Sequence, residues 1–212
     1  MVKEKSVSKG IHETGAEKQP EDQIEPQALY RLFLRRPPAI LDPIRRLFEP
    51  PNKLIEPYVK TGQVVADLGC GWGYYTFPIA DLVGPDGMIY AVDLDKKCIQ
   101  AIQNKAKKGG HHNIEAHASS ASDLSFIKDG AVDFVFAYGL LCSMAHHRES
   151  AVNEIKRILK STGQAYLSLG FPPPLGFVDQ EEWEKILEGF RVEQGGSFKE
   201  LWALVSLKLG EV

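Results

Sequence analysis

The chain is poor in the features that mark many special classes of protein. It has only three cysteines in 212 residues, Cys70, Cys98 and Cys142, and none forms a Cys-x-x-Cys pair. An odd number at this spacing supplies neither a disulfide framework nor a zinc site, and it fits a reducing compartment. No apolar run approaches the roughly 18 residues that a membrane-spanning helix needs. The opening MVKEKSVSKG has no apolar stretch of the secretory-signal kind, so a cytoplasmic location is expected. Excess positive charge is missing as well. Lys and Arg number 25 against 28 Asp and Glu, for a net charge of −3. Whole-chain attraction to nucleic acid is therefore disfavoured. There is no internal repeat, which argues against solenoids and propellers.

What is present is unevenly distributed. Residues 1–27 are polar, mix Lys with Glu, and carry almost no aromatic or branched apolar side chains. Such a segment buries too little to offset its ordering entropy, and a disordered tail is expected there. Residues 28–59 combine the apolar, arginine-rich LYRLFLRR with Pro37, Pro38, Pro43, Pro50, Pro51 and Pro57. Prolines at this density cut the chain into short helices or turns, predicting a short helical N-terminal segment over 28–59, which the resemblance described below makes a lid.

From residue 60 the pattern alternates regularly to the end, defining one domain over 60–212. VVADLG reads as a buried strand, followed by a glycine-rich turn and a helix near 75–83. MIYAVDL is a second strand. A helix over 95–108 places Ile99, Ile102 and Ala106 on one face. NIEAHAS and VDFVFAYG are the third and fourth strands. A helix over 148–160 aligns Ala151, Ile155, Ile158 and Leu159, and Ser161-Thr162-Gly163 then turns into the strand QAYLSLG. Trp183, Ile186, Leu187 and Phe190 mark another amphipathic helix. FRVEQ and LWALVSLKL close the chain as an antiparallel pair. Strand and helix in alternation predict an α/β fold: a seven-stranded, mostly parallel sheet with helices on both faces and the last strand antiparallel. Sheets of this kind bind ligands beyond the carboxyl ends of their strands.

The first such end is Asp67-Leu68-Gly69-Cys70-Gly71-Trp72-Gly73. Glycines at every second position let the backbone turn tightly and let a ligand approach without meeting a Cβ. Asp93 ends the second strand twenty residues after Gly73, where a carboxylate can accept hydrogen bonds from both hydroxyls of a ribose. The dinucleotide fingerprint Gly-x-Gly-x-x-Gly/Ala fits poorly, because its last position falls on Tyr74 or Thr76. Asp67, a carboxylate at the end of an apolar strand, suits a cationic ligand better than a pyrophosphate. It can also be read as a simple cap of the loop backbone.

At these residues the sequence resembles a known family. VVADLGCGWGYYTF (64–77) looks like the first motif of the class I S-adenosylmethionine-dependent methyltransferases, and AVDLD (91–95) like their second. ASDLSF (121–126), VDFVFAYGLL (132–141) and EIKRILKSTGQAYLSL (154–169) resemble the later motifs in the right order. The likeness leans toward the small-molecule branch that includes quinone-biosynthesis methyltransferases. It implies a Rossmann-like fold, S-adenosylmethionine as cofactor and S-adenosylhomocysteine as product. It also implies roles. Gly69, Cys70, Gly71 and Gly73 line the methionine end. Asp67 supports the amino group. Asp93 holds the ribose diol, and Leu94 packs on the adenine. Asp123 or its neighbouring backbone reads the adenine amino group. Tyr138 lies near the methionine moiety and the mouth of an acceptor pocket.

A small-molecule acceptor is expected, since no RNA-binding module is added and the Asn/Asp-Pro-Pro-Tyr type motif is absent after strand four. A nicotinamide-dependent oxidoreductase and a silent nucleoside- or partner-binding module stand as alternatives, with RNA or protein methylation as a subsidiary one. His146, beside His147, is the candidate general base, because an imidazole titrates near neutrality. Its other reading is a helix-entry or surface residue. Cys142, His146 and His147 together do not define a metal site. Arg31, Arg35, Arg36, Arg45 and Arg46 form a basic cluster that fits a lid over an anionic substrate, or equally a solvated helix face.

Overall fold

The computed structural model describes residues 50–144, 146–170 and 178–208. The expected tail, the arginine-rich part of the expected lid and the proline-rich segment after the fifth strand lie outside the described residues.

A short helix α1 (Pro51–Ile55) leads into β1 (Val64–Leu68), α2 (Thr76–Val83), β2 (Met88–Asp93), α3 (Lys96–Gly109), β3 (Ile114–Ala118) and β4 (Val132–Tyr138). A 3₁₀ turn (Leu141–Ser143) precedes α4 (Arg148–Ile158), β5 (Leu159–Ser168), α5 (Gln180–Glu188), β6 (Phe190–Gly195) and β7 (Trp202–Leu207). The seven strands form one sheet in the order β3-β2-β1-β4-β5-β7-β6. β1 to β5 pair in parallel, and β7 runs antiparallel to both β5 and β6. The strand order reverses between β1 and β4. In open sheets of this kind the loops after two such strands part, and ligands bind at that carboxyl edge.

Each face of the sheet buries its own apolar layer. Val65, Phe134, Phe136, Tyr166 and Leu204 pack with Ile79, Ile99 and Ile102 of α2 and α3, and with Ile55 and Val59. Ala66, Leu68, Val135, Ala137 and Leu167 pack with Ala151 and Ile155 of α4 and Trp183 and Ile186 of α5. Neighbours along β1 and β4 thus serve opposite layers, as the two-residue period of a strand requires. One face is aromatic. Phe136 stacks on Tyr166 at 5.5 Å, and Tyr166 on Trp202 at 5.5 Å. The opposite face is mainly aliphatic, with Trp183 and Phe190 as its buried aromatics. Caps fix the helices locally: Asp95 accepts from Lys97 N at 2.9 Å to start α3, and Asp179 accepts from Glu182 N at 2.9 Å to start α5.

Two local expectations are corrected. The chain does not turn away from the sheet at Ser161-Thr162-Gly163. α4 stops at Ile158, β5 already begins at Leu159, and residues 160–163 bulge between the pairs Val132↔Leu159 and Phe134↔Gln164. Burial of Leu159 against the sheet and the 2.7 Å ion pair of Lys160 with Asp133 hold this edge in place. A Cβ on Gly163 would lie 3.0 Å from the carbonyl oxygens of both Val132 and Lys160, so the bulge closes on a residue without a side chain. Phe190, at helical spacing from Trp183, instead opens β6. It is buried because the strand continues the same apolar layer.

Candidate functional site

The site assembles at the carboxyl edge around β1, β2 and the glycine loop. Asp67 is only 3% exposed. Thr76, the first residue of α2 and fully buried, donates its hydroxyl to Asp67 Oδ2 at 2.6 Å. Loss of hydration raises the Asp67 carboxyl to a pKa of about 7; the Thr76 hydrogen bond opposes this shift, and the nearby Asp93 charge adds to it. Asp93 accepts from Gly71 N at 2.9 Å through Oδ2 and from Asp95 N at 2.8 Å through Oδ1. It therefore ties the loop after β1 to the start of α3, and each oxygen keeps acceptor capacity for a ligand. Gly69 N and Cys70 N both donate to Val92 O, which lays the loop across the end of β2.

Glycines in the loop are needed for different reasons. Gly71 has φ +51°, and nothing lies within 4 Å of where its Cβ would stand. Gly73 has φ +84°, and a Cβ there would lie 2.8 Å from Phe77 Cε2 and 3.2 Å from Ile102 Cγ1. Gly71 thus faces open space beside Asp93, whereas Gly73 seats the loop on α2 and α3. Two substitutions separate these roles. Gly73→Ala is expected to cost about 2–4 kcal/mol of stability, from overpacking and left-handed strain together. Gly71→Ala is expected to cost only about 1–2 kcal/mol, the strain alone, while weakening nucleoside binding. Denaturant melts and ligand titrations of the two variants make the comparison.

The other sequence-derived positions fall as follows. Leu94, directly after Asp93, is 66% exposed and is one of two large apolar side chains standing out from the described surface. Burial pushes the Cys70 thiol well above its usual range, with Asp67 and Asp93 adding to the shift. Cys70 therefore stays protonated and offers backbone and small size, not a nucleophile. Asp123 lies exposed in the loop after β3, where its carboxylate accepts from Ser125 N at 3.3 Å and its carbonyl from Ser119 Oγ at 2.9 Å. Tyr138 ends β4 half-buried, 5.3 Å from the ring of Tyr75. Cys142 is buried and donates to Gly139 O, while His146 and His147 are exposed in the turn entering α4. The three do not converge. Among the described residues no group of three or more His, Cys, Asp or Glu is gathered to hold a metal, and no helix is long and apolar enough to cross a membrane.

Sequence reasoning missed one contributor, Thr76, and read a second, Trp72, only as a wall of the pocket or a residue packed beneath the lid. Thr76 drew notice only as a misfit to the dinucleotide pattern, yet it is the partner of Asp67. Trp72 carries an indole N–H that is buried and finds no acceptor among the described residues. An orphaned donor on the loop, an open Gly71, a ribose-height carboxylate and an exposed Leu94 fit a nucleoside bearing an amino-acid tail.

A mostly parallel sheet of this strand order with an acid-glycine loop after β1 and an acid after β2 defines a Rossmann-like nucleoside-binding domain. Residues 65–163 match the family described as methyltransferase domain, and that match, with the relatives and solved structures the chain resembles, supports a class I S-adenosylmethionine-dependent methyltransferase. The demethylmenaquinone methyltransferase of Lactococcus lactis subsp. lactis is 33% identical over 105 residues, which is 49% of this chain and 40% of that protein. The nocamycin O-methyltransferase of Saccharothrix syringae is 27% identical over 130 residues, 61% of this chain and 44% of that one. The crystal structure of a SAM-dependent methyltransferase from Aquifex aeolicus superposes with a TM-score of 0.63 at 25% identity, covering 86% of this chain and 97% of that one. The chain spans about half or less of the length of the curated relatives it matches.

Proposed function

We propose that the protein transfers a methyl group from S-adenosylmethionine to a small, planar, conjugated acceptor, releasing S-adenosylhomocysteine. The observation that carries the cofactor reading is the open backbone of Gly71 held by Asp93, with Leu94 exposed beside it. Asp67 pairs with the amino group, and Gly69, Cys70, Gly71 and Gly73 line the methionine end. Asp93 takes the ribose diol, Leu94 covers the adenine, and the loop of Asp123 reads its amino group. The bound sulfonium supplies an activated methyl group. The protein's own part is to align the acceptor in line with that group and to exclude water.

The acceptor reading rests on the aromatic face. Tyr75, Tyr138 and Trp202 cluster around the carboxyl edge of β4 and β5, and Tyr138 and Trp202 remain half-buried. Flat apolar walls with phenol and indole edges suit a quinol, phenol or enol. The name of the Lactococcus relative, a demethylmenaquinone methyltransferase, fits an acceptor of this general kind.

His146 is the base candidate that removes the acceptor's proton as the new bond forms. His146→Ala tests it: a fall in kcat of about 100-fold or more supports proton removal, and a rate within about twofold of wild type assigns transfer to alignment alone. The cofactor is tested by calorimetric titration with S-adenosylmethionine, S-adenosylhomocysteine and NAD. Micromolar binding of the first two and none of NAD is expected; tighter NAD binding overturns the reading. Binding without turnover across quinols, phenols and enols would instead mark a silent nucleoside-binding module.

A further inference from the structure

The loop joining β3 to β4, residues 119–131, has no helix or strand of its own. A connection of this length without internal structure needs an outside support. Its few local bonds, such as Asp123 N to Ser120 O and Ile127 N to Leu124 O, fix single turns and leave the path of the loop undetermined. That path is set from α4 by two residues one helical turn apart.

Arg157 spends all five of its N–H donors in fixing it. Nε and Nη2 grip Glu154 Oε1 and Oε2 at 2.7 and 2.9 Å. Nη2 also donates to Leu124 O at 2.9 Å, and Nη1 to Ile127 O at 2.9 Å and Asp129 Oδ1 at 2.6 Å. Glu154 Oε2 in turn accepts from Leu124 N at 2.7 Å, so the backbone of Leu124 is held on both sides. Gly130 N closes the far end on Arg157 O at 2.9 Å. Leu124 and Ile127 are fully buried, and Phe126 stacks on His117 of β3 at 3.9 Å. The clasp thus presses the loop against the sheet immediately after Asp123. Only a guanidinium can serve here, since an ammonium has three donors and no planar fork.

We propose that Arg157, locked by Glu154, is a positioning residue that sets the β3–β4 loop to read the cofactor's base, so that adenine selectivity originates in α4, outside the site itself. This rests on the cofactor reading above. Neither residue reaches the ligand; both act through the loop that does.

The test compares S-adenosylhomocysteine with its deaminated counterpart S-inosylhomocysteine, which differs only at the base position the loop faces. Full-length wild type, Arg157→Lys and Glu154→Gln are titrated below their melting temperatures, with Glu181→Gln as a control that breaks an exposed ion pair on α5. The expected result is a loss of about tenfold in adenine affinity for both clasp variants, with less than twofold change for the inosine compound and no change in the control. Adenine preference then collapses selectively. Parallel weakening of both ligands, or a lower melting temperature with preference intact, overturns the proposal and leaves a structural brace. If wild type binds neither compound, the cofactor reading fails first, before any substitution is made, and this inference falls with it. Glu154→Gln keeps the test decisive if Arg157→Lys does not fold.

Discussion

Asp67→Asn is expected to stabilise the ligand-free protein at pH 8 while weakening its hold on S-adenosylhomocysteine. The reason lies in burial. A carboxyl whose folded pKa stands near 7, against 3.8 when unfolded, favours the folded state only while protonated. Its contribution is fully present below about pH 4. It declines as pH rises and is lost above about 7, a change of about 4 kcal/mol at 1.36 kcal/mol per pKa unit. Ionised Asp67 is therefore a stability cost at pH 8, and the amide removes it. Because an amide must still be satisfied in the same place, the expected gain is smaller, about 1–3 kcal/mol. Ligand binding reverses the sign. An ammonium beside Asp67 favours the ionised form, so affinity for S-adenosylhomocysteine should rise about tenfold or more between pH 5.5 and 7.5 and then level off. Methylthioadenosine, which has no amino group, should show no such rise. Melting curves and titrations across that range, on wild type and Asp67→Asn, carry the test. A destabilised variant with unaltered binding would return Asp67 to the role of loop cap.

The second large effect is expected at Asp93. Its two oxygens already accept from Gly71 N and Asp95 N, which fixes the carboxylate and leaves lone pairs for the proposed ribose contact. Removing the two charge-assisted hydrogen bonds proposed to the diol should cost about 3–4 kcal/mol, so Asp93→Ala should lose roughly 100- to 1,000-fold in affinity. Releasing Gly71 N also loosens the loop, and part of the loss is reorganisation. A 2′-deoxy analogue separates the two contributions. Wild type should bind it far more weakly than the ribose form, whereas Asp93→Ala should scarcely distinguish them. Equal discrimination in both proteins would remove Asp93 from ribose recognition.

Much of this was legible in the sequence because short-range rules governed it. β1 announced itself as VVADL, a run too apolar for any strand but a central parallel one, and the acid-glycine loop had to follow it at the sheet's edge. Asp93 was readable from its place at the end of β2. The bulge at residues 160–163 was not. It depends on Leu159 finding Val132 across the sheet, a pairing that no local preference encodes. The pairing of Thr76 with Asp67 was hidden for a related reason: a threonine one residue into a helix carries no mark of what its hydroxyl meets. Arg157 and Glu154 stood in plain view as part of a motif. What escaped was the fold of the β3–β4 loop, which brings Leu124, Ile127 and Asp129 to one guanidinium from 28 to 33 residues upstream.

The reversal of strand order between β1 and β4 also divides the work of the chain. Groups proposed for the nucleoside lie on one side of that line, from Asp67 to Asp123. Those proposed for the acceptor come mostly from the other, with Tyr138 at the end of β4 and Trp202 opening β7 beside the end of β5. On the proposed reading, substitutions on the far side would reshape what is methylated while the donor half stays untouched. A protein so partitioned can change its clientele without relearning its chemistry.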